Sequence, residues 1–452
     1  MNRLFKLAAI VCLFAAASAA ARAQTNVLVW HKDKGTVDAA IRHEPLLPLL
    51  KSIAGQTGWH VFVEPGSTLD ASTKFKNLPS GDALKMLLGD LNFALVPETD
   101  SPWRLYVFRT TMKNATQQVT AKPRHVPNEL LVKVKPGTDI DALAKSLGAK
   151  VIGRLDKYGL YRLQFTDDNA TQNALAQLQM DSDVQSVGYD NYYDPPPTPQ
   201  AVAASGAPAM PQTLNPPPAS GKTVVGLVDT AVDPQALGGD ASQFFVQGVN
   251  VAGGTETDSG PTHGDAMASL VLQAIANSTG SQQTSVQIQS FDVYPSGEQT
   301  TTWYVMEGFT DAVNAGDNPI NMSLGGSEDD ATLDALVNQA KADGITVFAA
   351  AGNTPTGSPF YPAAASGAIA VTALSQPGQL ASYANYWNDP TMIALPGAGV
   401  FGYDNQTWDV QGTSASTALA TGIFAGNSAA HTGWTSQQII SALETRFPVP
   451  VK

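Results

Sequence analysis

Downstream of residue 221 the apolar residues gather into short, nearly unbroken runs: TVVGLV (223–228), SVQIQSFDV (285–293), INMSL (320–324), ITVFAAA (345–351) and AIAVTAL (368–374). Runs with so few polar interruptions suit parallel strands buried on both faces. Stretches with helical spacing lie between and after them, near 264–275, 303–315, 329–342 and 414–430. The alternation predicts an α/β fold, a parallel sheet sandwiched between helices. In such a sheet, ligands gather at the carboxyl ends of the strands.

Before residue 194 the pattern changes to two small α+β units. In 46–67, Leu46, Leu50, Ile53 and Ala54 share a helical face and Val61 to Val63 form a short strand; 79–96 repeats that order, and WRLYVF (103–108) closes the unit. The second unit reads strand, helix, strand, strand over 128–165, then helix and strand over 173–193, a β-α-β-β-α-β pattern. Between this unit and the α/β region, the proline clusters of 192–220 lack an apolar period and predict an extended, accessible linker. The expected organisation is therefore 1–23 as leader, 24–115 as a small α+β domain, 125–193 as a second one, 194–220 as linker and 221–452 as the large domain.

Composition sharpens this picture at both ends. Arg3 and Lys6 precede an apolar run from Leu7 to Ala21, and Ala21-Arg22-Ala23 places small residues where a signal peptidase reads them. That predicts a secretory signal peptide cut after Ala23, and hence a periplasmic or extracellular protein. No later run reaches membrane-spanning length. The single cysteine, Cys12, lies inside the leader, so the mature chain would hold no disulfide. Of the net charge of −13, residues 221–452 carry −16, with 20 of the 39 acidic residues and 4 of the 26 Lys and Arg, which leaves +3 upstream. An acidic large domain argues against nucleic-acid binding and suits docking of the upstream part upon it.

Candidate chemistry sits at the ends of the predicted strands. Asp229 follows TVVGLV, and Asn353 follows VFAAAG. His263 stands at a strand-to-helix transition in PTHGDAMASLV, and Ser414 opens an apolar helix after a Gly-Thr turn. A carboxylate, an imidazole and a hydroxyl are the parts of a nucleophilic triad, and the order Asp, His, Ser is that of subtilisin. Taken singly, each has a structural alternative: Asp229 as a helix cap, Asn353 as a turn residue, Ser414 as a packing hydroxyl.

Together, VVGLVDTAVDP, HGDAMA, INMSLGG, AAAGN and GTSAS resemble successive landmarks of the subtilisin-like serine proteases, over the whole of 221–452. The resemblance implies Ser414 as nucleophile, His263 as general base, Asp229 as its orienting carboxylate and Asn353 as an oxyanion donor. It implies a substrate cleft from Ser323, Leu324 and Gly325 with Ala350, Ala351 and Gly352, while Thr413, Ser416, Thr417 and Thr421 are structural. The 125–193 unit resembles the propeptide of the same family, carried by VKVKPGTDIDALAKSLGA and LQMDSDVQSVGYD. This implies a zymogen inhibited in cis and processed somewhere in about 190–220. The helix-then-strand repeat of 24–115 resembles the short N-terminal domain of secretins and TonB-dependent receptors, which implies docking to an envelope protein; a generic α+β domain is the alternative. No cofactor is expected. Calcium is common in the family, yet no carboxylate cluster here has suitable loop spacing.

Three positions depart from the family pattern. Asp229-Thr230 is followed by Ala231 in place of glycine, which is strained if that position needs a positive φ. Asp265 adds a carboxylate close to His263, one that would raise the histidine's pKa if the two faced each other, although residues two apart on a helix do not. Ala418 replaces the family proline after Ser414. The alternative to a protease is accordingly a pseudoprotease, the same scaffold used for binding.

Overall fold

The computed structural model describes residues 26–450 except 32–33, 98–102, 120–124, 203–213, 216–222, 239, 255–259, 280–283, 296–298, 356 and 377. The leader expected at 1–23 and much of the linker lie outside the described residues. The chain divides into two compact units, 1–122 and 123–452.

The first unit carries β1 (Val27–His31), β2 (Thr36–Pro45), α1 (Leu46–Thr57), β3 (His60–Val63), β4 (Asp70–Pro79), α2 (Ser80–Leu88), β5 (Asn92–Val96), β6 (Arg104–Phe108) and β7 (Gln117–Val119). Two sheets result, ordered β1-β2-β4 and β5-β6-β3-β7. Leu46, Leu49, Leu50 and Ile53 of α1 and Leu84, Leu87 and Leu88 of α2 supply the shared core. Sequence periodicity found both helices and β3, β5 and β6, but not the β1-β2-β4 sheet. In β2 the buried positions alternate in Val37, Ala39 and Ile41, yet Asp38 and Arg42 hide the rhythm from a simple apolar count.

The second unit opens with β8 (His125–Val134), α3 (Ile140–Ser146), β9 (Lys150–Leu155), β10 (Leu160–Gln164), α4 (Asp168–Leu178) and β11 (Val184–Tyr193). Their sheet runs β11-β8-β10-β9 with antiparallel neighbours. Asp139 and Asp167 cap the two helices through Ala142 and Ala170 N–H. Along β8, Leu130, Val132 and Val134 pack on those helices, whereas Leu131 turns to the other face and joins the core of the α/β part. Both faces of the strand are buried, which is why LLV is unbroken.

After the two-residue β12 (Gln200–Ala201), the α/β part contains β13 (Thr223–Asp229), β14 (Val249–Asn250), α5 (His263–Thr279), β15 (Val286–Asp292), β16 (Thr300–Thr301), α6 (Thr302–Ala315), β17 (Ile320–Met322), α7 (Ala331–Ala342), β18 (Val347–Ala350), β19 (Ala368–Gln376), β20 (Gln379–Leu380), β21 (Ile393–Pro396), β22 (Ala398–Tyr403), β23 (Gln406–Gln411), α8 (Thr413–Ala430) and α9 (Ser436–Arg446). The main sheet is ordered β14-β15-β13-β17-β18-β19-β20, with β21 also on β19. Its pairs are parallel apart from β20. Val225 and Leu227 of β13 face α5 and α8, while Val228 faces α6 and α7. The expected helix–sheet–helix sandwich is therefore present.

The propeptide-like subdomain docks through polar as well as apolar groups. Asp190, fully buried, accepts the N–H of Trp303 at 2.8 Å in the first turn of α6 and pairs with Arg162 at 3.3 Å. A carboxylate suits the unpaired N–H groups of a helix start. Arg162 also holds Glu129 at 2.6 Å. The Tyr158 hydroxyl donates to Asn314 at 2.9 Å, and β11 pairs with β16, Tyr192 opposite Thr301 and Tyr193 opposite Thr300.

Candidate active site

Asp229 is the last residue of β13, where the buried strand delivers a carboxylate to the sheet's carboxyl end. Its Oδ1 accepts Thr230 N–H at 2.8 Å and meets His263 Nδ1 at 2.7 Å. A carboxylate can only accept here, so Nδ1 carries the hydrogen and Nε2 keeps its lone pair. Both side chains are almost wholly buried, and Nε2 has no hydrogen-bond partner within the protein.

His263 starts α5, and its placement rests on two neighbours. Gly264 donates its N–H to Thr230 Oγ1 at 2.7 Å, and a Cβ at Gly264 would lie 2.3 Å from Thr230 O. Only glycine lets the helix approach the turn after β13 so closely. Thr262 and Asp265 cap the helix reciprocally: Asp265 N–H donates to Thr262 Oγ1 at 3.0 Å and Thr262 N–H to Asp265 Oδ2 at 2.9 Å. The other oxygen of Asp265 accepts Asp233 N–H at 2.7 Å. This carboxylate thus faces its own backbone rather than the imidazole, and burial pushes its pKa up to about 7. Ala231 has no positive φ, so the strain raised for the missing glycine does not arise.

Ser414 lies in the first turn of α8, behind Gly412 at φ +150°. A Cβ at Gly412 would come within 3.0 Å of Asn353 Nδ2. In this resting arrangement the Ser414 hydroxyl donates to Ser323 O at 3.0 Å. Ser323 Oγ in turn donates to Ser414 O at 3.2 Å and accepts Asn321 Nδ2 at 2.9 Å; Thr421 Oγ1 closes the ladder on Asn321 Oδ1 at 3.0 Å. This buried ladder ties the central strand β17 to the helix that carries Ser414. Asn321 escapes a sequence reading because, inside INMSL, it looks like a single polar interruption of a strand. The remaining hydroxyls serve backbone: Thr417 donates to Thr413 O at 2.8 Å, and Ser416 lies 3.0 Å from Leu395 O.

Asn353 Oδ1 accepts both Thr413 N–H at 2.8 Å and Thr413 Oγ1 at 3.1 Å. Because the backbone N–H must donate, the amide orientation is fixed and the NH₂ group points away from Thr413. Of the cleft residues, Ser323 touches Ser414 directly. Ala351 N–H is spent on Val371 O at 3.0 Å, its carbonyl on Asn385 Nδ2 at 3.0 Å, and Gly352 N–H on Thr413 Oγ1 at 3.1 Å. The N–H groups of Ala351 and Gly352 are therefore already paired within the protein. Gly352 has φ +94° and Gly325 lies against Tyr361 O, so both positions require glycine. Leu324 and Ala350 are buried beside them.

Among the described residues, no group of three or more His, Cys, Asp or Glu comes together to hold a metal ion. Among the same residues, no helix is long and apolar enough to cross a membrane.

Comparison with known proteins agrees with the fold. Residues 220–447 match the family model of the subtilase family, and 111–188 that of the fervidolysin N-terminal prodomain. A thermostable alkaline protease from Halalkalibacterium halodurans is 36% identical over 137 residues, 30% of this chain and 38% of that protein. Thermitase from Thermoactinomyces vulgaris is 31% identical over 204 residues, 44% of this chain and 72% of that one. The match thus spans well under half of the first relative's length. In the crystal structure of fervidolysin from Fervidobacterium pennivorans, described as a keratinolytic enzyme related to subtilisin, the fold is alike at a TM-score of 0.56 and 18% identity, over 71% of this chain and 57% of that one.

Proposed function

The chain belongs to the subtilase family, and from that premise we propose that it is a serine endopeptidase made as a zymogen and exported from the cytoplasm, its first 23 residues acting as the signal. The observation that carries the reading is the buried Asp229–His263 pair, whose Nε2 is in the acceptor state and free of protein partners. The Ser414 hydroxyl turns from Ser323 O toward that nitrogen, which takes its proton as the oxygen attacks a peptide carbonyl. His263 then hands the proton to the departing amine, while Asp229 stabilises the imidazolium and holds its tautomer. The oxyanion is met by the Asn353 NH₂ group and by Ser414 N–H in the first turn of α8, where N–H groups lack intrahelical acceptors. Water repeats the sequence on the acyl-enzyme.

The substrate is a protein or peptide taken in extended form along Ser323–Gly325, against the wall formed by Ala350–Gly352. The 125–193 subdomain inhibits in cis, and processing falls within about 190–220. The first unit is a docking module for an envelope protein: it presents Leu47, Met86, Val96, Trp103 and Met112, five of the nine exposed large apolar side chains among the described residues. A fluorophosphonate probe tests the central claim, because it reacts only with an activated serine. Wild type labels and hydrolyses peptides, and Ser414→Ala does neither. A Ser414→Ala protein with full activity would overturn Ser414 as the nucleophile, and a wild type that never labels would leave the pseudoprotease reading in its place.

A further inference from the structure

The stretch joining the propeptide-like subdomain to the α/β part is held at both ends beside Ser414. At its start, β11 pairs with β16, and the Tyr193 ring lies 3.0 Å from where a Cβ on Gly326 would stand, three residues beyond Ser323. Asp194 O accepts the Tyr294 hydroxyl at 3.5 Å, and Gln299 Nε2 donates to Asp194 Oδ1 at 2.6 Å. Tyr294 follows Val293, whose N–H donates to Asp229 O at 2.9 Å. At the other end, Gln200 and Ala201 pair antiparallel with Asp409 and Trp408 of β23, and Val202 N–H donates to Thr407 O at 2.9 Å. β23 ends at Gln411 and leads directly into Gly412-Thr413-Ser414. Trp408 also packs near Gly260, three residues before His263.

One anchor therefore stands on the Tyr294 and Gly326 segments, and the other on β23, the strand that leads into Ser414. The six residues from Asp194 to Pro199 join the two anchors. In polyproline form each residue advances about 3.1 Å, so the seven steps from Tyr193 to Gln200 reach roughly 22 Å, enough to cross a peptide-binding cleft. Asp194, Pro195, Pro197 and Thr198 are exposed, as the outer layer of a strap would be, while His263 Nε2 is shielded from solvent.

The sequence of the strap is DPPPTPQ. Of the six bonds from Asp194 to Gln200, four place proline on the leaving-group side: 194–195, 195–196, 196–197 and 198–199. The other two, 197–198 and 199–200, place proline on the acyl side. A prolyl leaving nitrogen carries the ring carbon Cδ where His263 must deliver its proton. A proline on the acyl side has no N–H to give a rim carbonyl, and its φ is locked near −65°, short of the extended value. Every bond in the span thus has a defect at one of the two residues that the reaction must align.

We propose that Asp194–Pro199 is a cleavage-resistant strap lying across the cleft, so that the chain blocks its own site without being cut there, and that activation requires scission outside this span. The proposal rests on the endopeptidase reading and narrows its processing window. It is tested on the full chain by comparing wild type with a Pro195→Ala/Pro196→Ala/Pro197→Ala variant, each with and without Ser414→Ala. Intact mass and N-terminal sequencing locate cuts, and the rate of fluorophosphonate labelling reports access. In wild type the 194–199 bonds stay whole through prolonged incubation. The triple alanine variant cuts itself between 194 and 198, loses that cut with Ser414→Ala, and labels at least tenfold faster than wild type. A wild type that cuts itself inside 194–199, or a triple variant that labels at the wild-type rate and stays whole, overturns the strap while leaving the protease standing. No labelling of Ser414 in either form overturns the protease reading and the strap with it.

Discussion

Replacing Asp229 by Asn isolates what the carboxylate contributes as charge. Oδ1 serves three donors, Thr230 N–H, the Thr230 hydroxyl and His263 Nδ1–H, at 2.8, 3.4 and 2.7 Å. The Thr230 N–H cannot reverse its role, so an asparagine amide is held with its oxygen in the Oδ1 place, and the imidazole keeps its tautomer. What disappears is the attraction between carboxylate and imidazolium. With the nearest atoms 2.7 Å apart, the charge centres are about 4 Å apart, and at an effective dielectric constant of about 20 their interaction is about 4 kcal/mol. That corresponds to a loss of about 10³ in kcat/KM. The assay is peptide hydrolysis by the activated enzyme across pH 6 to 9, with fluorophosphonate labelling in parallel and thermal unfolding as a check of the fold. A variant within tenfold of wild type, or one whose whole deficit lies in KM, would refute the electrostatic role given to Asp229.

Three further outcomes follow from the same geometry. Asn353→Ala removes the NH₂ group proposed to meet the oxyanion and is expected to lower kcat by about 10²–10³ with little change in KM; steady-state kinetics separate the two. Gly264→Ala drives a Cβ to 2.3 Å from Thr230 O, and the shift of α5 costs about 1–3 kcal/mol in denaturant unfolding, with His263 displaced and activity lost in the same protein. Asp317 is buried beside Gly226 with Oδ2 unpartnered, and burial alone lifts its carboxyl to about 7. Its folded pKa lies above the unfolded one, so its contribution favours the folded state below the ordinary carboxylate range and is lost as pH rises toward 7. Asp317→Asn removes that slope and, relative to wild type, gains about 4 kcal/mol between pH 4 and 8 in urea titrations; parallel pH profiles for the two proteins would contradict it.

The continuous apolar runs at 223–228 and 368–374 betrayed the parallel strands because burial on both faces leaves no room for polar residues. The triad candidates stood out for a related reason: a charged or polar residue directly after such a run is costly unless it is used. Less visible were contacts whose logic is purely spatial. Nothing local marks Thr230 as the group that receives Gly264 N–H, or Thr413 as the one that fixes the Asn353 amide. The β22–β23 hairpin was missed because Gly399, Gly402 and the Asp404-Asn405 turn dilute its apolar content; both turn residues adopt positive φ. The amphipathic helix α9 was missed as well, since only Ile439 and Leu443 of its eleven residues are buried.

Thr300 and Thr301 have one open side, and β11 occupies it. A second polypeptide arriving there finds the place taken by a competitor tethered to the same molecule. Such a tether holds its partner at an effective concentration in the millimolar range, set by chain length and not by how much protein is in the tube. Dilution will therefore not relieve the block, and micromolar peptide ligands will look weak on the uncut chain however well they fit the emptied edge.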